Sequence, residues 1–259
     1  MQTSKHSAGR AIRTLTPFLL AGLQAALVLN AQPCAPPLPG MNTWGMTNWY
    51  QFNVPSPLAD KRSPNTLTGN ILTVPGKVGT ANSFNGTLAG ILTATLTNQP
   101  SFGPDFSFDA WVNVPAVSNQ VQVLVEKRQA APLLRGWSFY TYKGGLGMQI
   151  ASSPNNGWNF NSTAQIPLNQ WVMIAVVVHR RASRVEFYHN GALVRINVIG
   201  AVAKSANVNT NTAMKLGVRT IGNSGYFTGL MDEVELFDRA LTPQEIASIY
   251  NAGATGKCP

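Results

Sequence analysis

Short runs of aromatic and β-branched residues recur along this chain, and Gly, Pro and Asn separate one run from the next. The clearest runs lie at residues 46–52, 106–114, 120–126, 137–142, 146–151, 171–179, 184–189, 192–199 and 230–237. Their length and composition are typical of β-strands. Asn190-Gly191 stands between two of them as a type I′ hairpin turn. The spacing, with no helix between the strands, predicts an all-β sandwich.

Composition agrees with this fold class. Charged residues make up 11% of the chain, well below the ~25% of an average globular protein, which excludes a coiled coil or a salt-bridged helical bundle. Hydrophobic residues make up 44%, enough for a sizeable core. One helix is clearly specified, because Thr242, Pro243 and Glu245 form a capping box and Gly253 ends the helical pattern. We expect this helix to pack on the edge of the sandwich.

The N-terminal segment has the order of a secretory signal peptide. Residues 1–13 are basic and polar, residues 14–29 form an apolar run, and Ala31 supplies a small residue for cleavage. The apolar run is short and interrupted, although an uncleaved membrane anchor is the alternative. We therefore predict a signal peptide over 1–31, a mature domain over 32–259, secretion, and no membrane span after cleavage.

Two cysteines occur in the chain, Cys34 near the start of the mature domain and Cys258 near its end. Two thiols are too few for a zinc site, and a secreted chain favours an oxidised pair. We expect a disulfide between Cys34 and Cys258, which requires the two ends of the domain to meet in the fold.

The chain is moderately basic. Its net charge is +9, and from Cys34 onward 16 basic and 10 acidic residues leave +6. The basic residues cluster only weakly, at Lys61-Arg62, Lys127-Arg128 and Arg180-Arg181. A nucleic-acid interface needs a basic stripe with interleaved aromatic residues, so we predict no nucleic-acid partner. Anionic polysaccharides or envelope polymers suit a secreted basic protein better.

Residues 229–253 read GLMDEVELFDRALTPQEIASIYNAG, which resembles the C-terminal signature of laminin G-like (LamG-like) domains in secreted bacterial proteins. Earlier segments match the family pattern in the same order: 77–79 (KVG), 83–86 (SFNG), 106–112, 170–177 and 187–191. The resemblance covers residues 34–258. It implies a concanavalin A-like jelly-roll β-sandwich of two antiparallel sheets with one short C-terminal helix. This fold carries lectins, adhesion modules, glycosidases and lyases, so it says less about activity.

The resemblance also implies a structural calcium ion. In the superfamily such an ion is held by the aspartate of the Asp-Glu-Val strand and by main-chain oxygens, which points here to Asp232, with Asp60 and Asn85 as further ligands. Calcium prefers about six to eight oxygen ligands, and Asn85 offers only an amide oxygen where the family usually has aspartate. The alternative for Asp232 is a buried carboxylate that accepts main-chain hydrogen bonds and supports the fold.

Catalytic groups are scarce. The chain has ten carboxylates, and it lacks the Glu-x-Asp-x-x-Glu strand of jelly-roll glucanases. Glu233 and Glu235 lie two residues apart on one strand, a spacing that an inverting glycosidase could use. The simpler interpretation is that both are solvated strand carboxylates. We therefore predict that the protein is not an enzyme.

Aromatic and amide side chains in the middle of the chain suggest a sugar-binding face, because such faces combine aromatic platforms with planar polar groups. On the run 137–142, Trp137 and Phe139 point towards the core and the two tyrosines point the other way. Trp158 is flanked by asparagines and is expected to be exposed, although it could plug the sandwich edge. The predicted groove contains Trp158, Asn156, Asn159, Tyr140 and Tyr142.

These observations predict a secreted, non-enzymatic, lectin-like or adhesion domain whose partner is an extracellular or cell-surface glycan. One alternative is a glycoside hydrolase or polysaccharide lyase on the same fold. Another is a structural subunit of a matrix or surface. Exposed aromatic residues on a concave sheet favour the first function, paired carboxylates in a groove favour the second, and a flat sheet with symmetric contacts favours the third.

Overall fold

A computed structural model describes residues 45–153 and 156–257. The predicted signal peptide and both cysteines of the predicted disulfide lie outside these residues. Within them the chain forms fifteen strands: β1 (Met46–Tyr50), β2 (Leu67–Gly69), β3 (Thr73–Pro75), β4 (Thr80–Asn85), β5 (Leu92–Ala94), β6 (Asp105–Asn113), β7 (Gln122–Arg128), β8 (Gly136–Tyr142), β9 (Gly145–Ser153), β10 (Asn156–Gln165), β11 (Trp171–His179), β12 (Arg184–His189), β13 (Ala192–Val198), β14 (Lys215–Leu216) and β15 (Thr228–Phe237). The α-helices are α1 (Ala201–Lys204) and α2 (Pro243–Ala252), and short 3-10 helices cover Leu88–Gly90 and Gly253–Thr255.

The strands form two sheets in which all named neighbours are antiparallel. The first sheet has the order β13-β12-β11-β6-β15-β4-β3, and β1 pairs with the C-terminal half of β15, beyond β4. The second sheet has the order β10-β9-β8-β7-β14-β5-β2. The predicted sandwich of two antiparallel sheets with one helix after the last strand is therefore confirmed.

Each predicted run is a strand, and its boundaries differ by only a few residues. Asn190 and Gly191, with φ values of +49° and +79°, form the predicted turn between β12 and β13. The sequence did not indicate β10, because its Asn, Gly and Ser residues have low strand propensity. Pairing with β9 makes it a strand nevertheless.

Aromatic residues from both sheets fill the space between them. Phe108 on β6 stacks on Phe139 on β8, with ring centroids 4.6 Å apart, and Phe102 stacks on Phe106 at 4.5 Å. Trp137 and Phe139 are fully buried, as expected from the alternation along β8. The opposite face of β8 therefore points away from the core.

Helix α2 begins at the predicted capping box: Thr242 Oγ1 accepts a hydrogen bond from Glu245 N, and the Glu245 carboxylate accepts one from Thr242 N. Its apolar face, with Ile246 and Ile249, packs on Trp111 of β6. The helix thus covers the outer face of the first sheet, not the edge as expected. Among the described residues, no helix has the length and apolar character needed to cross a membrane.

Charged side chains are buried together where β6 and β15 pair. Asp109 faces Glu235 across the two strands, and Lys257 from the C-terminal segment forms an ion pair with Glu235. Glu233 accepts a hydrogen bond of 2.7 Å from Trp49 Nε1. The prediction that Glu233 and Glu235 are solvated is wrong, because their exposures are 2% and 0%. The outer face of β15 is covered here by β1 residues and by the C-terminal segment, which sequence spacing does not reveal.

Burial dominates the electrostatics of this cluster. It raises the pKa of Asp109, Glu233 and Glu235 above the ordinary carboxyl range. Burial alone would lower the pKa of Lys257, but the neighbouring carboxylates raise it. Because three carboxyl groups share one ammonium group, the cluster retains protons to a higher pH than solvated carboxylates do.

Asp232, on the same strand, connects two segments that are far apart in sequence. Its Oδ2 accepts a hydrogen bond of 2.8 Å from Val78 N. Gly76 approaches so closely that a β-carbon there would lie 2.6 Å from the same oxygen. Burial raises the pKa of Asp232 from 3.8 to about 7. Asp232 therefore holds the turn 76–79 against β15, as the alternative interpretation of this residue expected.

Replacing Lys257 should destabilise the fold strongly. Lys257→Met leaves three buried carboxyl groups without a cation, and we expect the free energy of unfolding to fall by ~3–5 kcal/mol at neutral pH. The loss should shrink at acidic pH, where these groups are protonated. Chemical denaturation measures both effects. The exposed Lys61→Met is the matched control, with an expected change within ~0.5 kcal/mol; equal losses in the two variants would contradict the role of Lys257.

Asp232 should give the stability a pH dependence that Asp232→Asn removes. The folded-state pKa is raised, so the contribution is complete below about pH 4 and is lost as the pH rises through about 7, by at most about 4 kcal/mol. Asparagine keeps an acceptor for Val78 N without titrating, whereas Asp232→Ala leaves that donor unpaired and should cost ~1–3 kcal/mol. Thermal unfolding of the parent and the two variants from pH 4 to 8, in the presence of a chelator, measures the pH dependence of their stability. Identical profiles for the parent and Asp232→Asn would refute it.

Candidate functional site

A groove of about 740 Å³ lies on the outer face of the second sheet. The outward-facing residues of β8, β9 and β10 form its floor, and the loops before β7 and after β14 form its walls. The floor residues are polar or aromatic: Ser138, Tyr140, Tyr142, Gln149, Asn159 and Asn161. The groove exists because β8 sends alternate side chains to its two faces.

One row of the floor runs across the strands through Tyr140, Gly147 and Asn161, which are neighbours in register. The Tyr140 hydroxyl donates a hydrogen bond of 3.0 Å to Asn161 Oδ1. A β-carbon at Gly147 would collide with the Tyr140 ring, so glycine lets that ring lie across β9. Burial raises the pKa of Tyr140 to about 12, although nearby Arg219 opposes the shift. The hydroxyl is therefore protonated at neutral pH.

A second row runs through Ser138, Gln149 and Asn159, which are also neighbours in register. Gln149 Nε2 donates a hydrogen bond of 2.7 Å to Asn159 Oδ1. Ser138 Oγ is buried and has no hydrogen-bond partner within the part of the chain that the structure describes. Asn159 and Asn161 are exposed, and their Nδ2 groups also have no hydrogen-bond partner among the described residues, because their oxygens accept the row hydrogen bonds. The floor thus offers a hydroxyl and two amide groups that a ligand can engage.

The walls add polar groups and one charge. Asn119 and Gln120 come from the loop before β7, and Arg219 and Ser224 come from the loop after β14. Arg219 N donates a hydrogen bond of 3.0 Å to Ser224 O, which closes the loop that presents the guanidinium group. No carboxylate or histidine lines the groove in residues 45–153 and 156–257.

The groove contains three of the five predicted binding residues: Tyr140, Tyr142 and Asn159. Trp158 does not line it. Trp158 pairs with the fully buried Ile150 and is half-buried against the core, on the face of β10 opposite to Asn159. Asn156 is exposed at the start of β10, away from the groove lining. The groove therefore differs from the predicted one, because alternation separates Trp158 from Asn159.

Sequence reasoning missed Gln149 and Arg219 as groove residues. Gln149 had a local signal, since it is the polar residue of the otherwise apolar run 146–151. Arg219 had none, because the loop that carries it reaches the groove only through the pairing of β14 with β7.

The predicted calcium ligands do not form one site. Asn85 pairs with Thr228, and Asp232 lies four residues further along β15, which is ~13 Å in an extended strand. Asp60 uses both carboxylate oxygens to accept hydrogen bonds from protein donors; these come from Asn48, Trp49, Arg62 and Ser63 at 2.6–2.9 Å. No group of three or more His, Cys, Asp or Glu residues that could hold a metal ion occurs among the described residues. The set Asp232, Asp60 and Asn85 therefore does not fit calcium, and calcium binding by this chain stays a prediction.

Solved structures with the same fold include carbohydrate- and receptor-binding domains. Domain 4 of AbnA, a GH43 extracellular arabinanase from Geobacillus stearothermophilus, in complex with arabinotriose, is 23% identical with a TM-score of 0.59 over 78% of this chain and 96% of that one. The binding domain of Paraclostridial Mosquitocidal Protein 1 is 15% identical with a TM-score of 0.65 over 80% of this chain and 52% of that one.

A third structure belongs to botulinum neurotoxin type C, whose cell entry depends on interaction with two ganglioside molecules. It is 14% identical with a TM-score of 0.63 over 80% of this chain and 51% of that one. The chain thus spans about half the length of each toxin structure. At these identities the likeness concerns the fold alone.

A search of the curated proteins finds no match. The laminin G family model described as the concanavalin A-like lectin/glucanases superfamily matches residues 85–247. This range begins at the end of β4, includes the strands that form the groove floor, and extends into α2. The chain therefore belongs to the concanavalin A-like lectin/glucanase superfamily.

Proposed function

We propose that this protein is a secreted, non-enzymatic domain that binds a glycan in the groove on the second sheet. The observation that carries this proposal is the groove floor, where two tyrosines lie beside amide side chains held in register. Aromatic rings cover the apolar faces of sugars, and planar amides hydrogen-bond to sugar hydroxyls.

The size of the groove suits an oligosaccharide. Its volume of about 740 Å³ falls within the usual range of ligand pockets, ~300–1,000 Å³. From Ser138 to Tyr142 the floor extends ~13 Å along β8, which is longer than one sugar ring. Because the row hydrogen bonds already orient the amides, little side-chain entropy is lost when a ligand binds.

The buried hydroxyl of Ser138 also supports a ligand. A buried donor without a partner costs free energy, and Ser138 Oγ faces the groove without one in the described residues. A sugar hydroxyl or an ordered water bridging to the sugar satisfies it. The arabinanase domain supports the proposal further, because that domain has a similar fold and was solved in complex with arabinotriose, an oligosaccharide.

The distribution of carboxylates favours binding over hydrolysis. Glycosidases need two carboxyl groups beside the scissile bond. The buried pair Glu233 and Glu235 lies on the first sheet, in contact with Trp49 and Lys257. The groove lies on the second sheet, and the lining residues that the structure describes include no carboxylate.

Tyr142→Ala should weaken glycan binding and leave the fold intact, because Tyr142 lines the groove and is only half-buried. We expect a glycan array to identify ligands and titration calorimetry to record a loss of ~1–3 kcal/mol in binding free energy. Trp158→Ala is the matched control, an aromatic truncation on the opposite face of the same sheet, and should not change the affinity.

The opposite pattern, loss with Trp158→Ala and none with Tyr142→Ala, would move the site to the sandwich edge and refute the groove. Release of reducing ends from a bound glycan would refute the non-enzymatic function. Both variants must remain folded at the assay temperature for either conclusion, as circular dichroism measures; Trp158→Ala is expected to lower the melting temperature, because its ring packs against the core.

A further inference from the structure

We infer that the glycan bound in this groove is acidic and that Arg219 pairs with its carboxylate or sulfate group. This inference rests on the proposed glycan-binding function and adds the chemical class of the ligand. It is carried by the charge of the groove, the position of Arg219, and the lack of a partner for its guanidinium group.

The charge of the groove has one sign. Arg219 is the one charged residue that lines it in the described chain, and the other lining side chains are amides, hydroxyls and apolar groups. A second cation lies next to a lining residue of the groove: Lys143 Nζ is 5.3 Å from the centroid of the Tyr142 ring. A ligand in the groove therefore meets positive charge without a compensating carboxylate.

The loop that carries Arg219 is fixed at both ends to β7. Gly217 N donates a hydrogen bond of 3.0 Å to Leu124 O, and Val123 N donates one of 2.8 Å to Gly225 O. The Arg219 side chain packs against Gly225, where a β-carbon would lie 3.3 Å from Nε. The guanidinium group is thus presented to the groove from a constrained loop, which limits the entropy lost when it binds an anion.

The protein does not neutralise Arg219. No ion pair or side-chain hydrogen bond to its guanidinium group occurs in residues 45–153 and 156–257. The carboxylate of Glu126 is engaged through Oε1, which accepts hydrogen bonds from Thr220 N and Oγ1 at 2.8 and 2.9 Å, while Oε2 is buried without a partner among the described residues. Burial lowers the pKa of Arg128, Glu126 raises it, and Arg219 lowers it further. The guanidinium groups of Arg128 and Arg219 are therefore close enough to repel each other.

This arrangement discriminates between acidic and neutral sugars. The guanidinium group matches a carboxylate or sulfate with two parallel hydrogen bonds. A neutral sugar that covers Arg219 removes water from the charge and offers only hydroxyl groups in exchange, which is unfavourable. The tyrosines and amides contact the sugar ring and its hydroxyl groups in either case, so Arg219 determines whether acidic or neutral sugars are preferred.

The test compares acidic oligosaccharides with their neutral counterparts. An array first presents uronic-acid, sialic-acid and sulfated glycans beside their methyl-esterified, desialylated and desulfated forms. Titration calorimetry on the full chain then measures each bound pair at low and high salt. We expect the acidic member to bind ~10- to 100-fold more tightly, with a difference that shrinks as salt rises. The type of glycan that shows the larger difference identifies the acidic group that Arg219 binds, a carboxylate or a sulfate.

Arg219→Gln should reduce the affinity for the acidic member about tenfold or more, and it should not reduce that for the neutral member, because a neutral amide costs less to desolvate than a guanidinium group. Lys61→Gln is the control. Lys61 is exposed and lies next to β1, a strand of the first sheet, so the loss of its charge should change neither affinity. Equal effects of Arg219→Gln on both members, or equal effects of the two variants, would overturn the inference and leave glycan binding in place. Binding to no glycan of either kind would overturn the proposed function as well.

Discussion

One ammonium group, that of Lys257, is the cation shared by three carboxyl groups buried in the first sheet, whose pKa values burial raises. Asp109 comes from β6, Glu233 and Glu235 come from β15, and Lys257 comes from the C-terminal segment. Unpaired buried charges cost several kcal/mol, so the C-terminal segment must lie against these two strands for the sheet to be stable. β15 in turn pairs with β1, β4 and β6, so the contact supports the strand that joins three others in the first sheet.

The two outer faces of the sandwich are covered differently. The outer face of the first sheet carries α2 on Trp111 and the C-terminal segment on Trp49. The outer face of the second sheet carries the polar groove, whose floor is open to a ligand. The charged cluster thus belongs to the covered face and contributes to stability, while the open face holds the groups suited to recognition.

The groove on the open face depends on register more than on any one residue. The rows Tyr140–Gly147–Asn161 and Ser138–Gln149–Asn159 form because β8, β9 and β10 pair without an offset at these positions. A slip of one residue would exchange the groove and core faces of a strand. The core aromatics of β8 prevent such a slip, since Trp137 and Phe139 cannot face water without losing their burial.

The sequence by itself determined the features that depend on neighbouring residues. It located the main strands, the Asn190-Gly191 turn and the start of α2, and it put Tyr140 and Tyr142 on the face opposite Trp137, because alternation and capping act over a few residues. Only the tertiary structure decided which faces are covered. It turned Trp158 towards the core, buried Glu235 beneath Lys257, and brought Arg219 to the groove. The last two outcomes depend on contacts between residues far apart in the chain, about which local pattern carries no information. The orientation of Trp158 follows from alternation along β10, a strand that its own composition did not indicate.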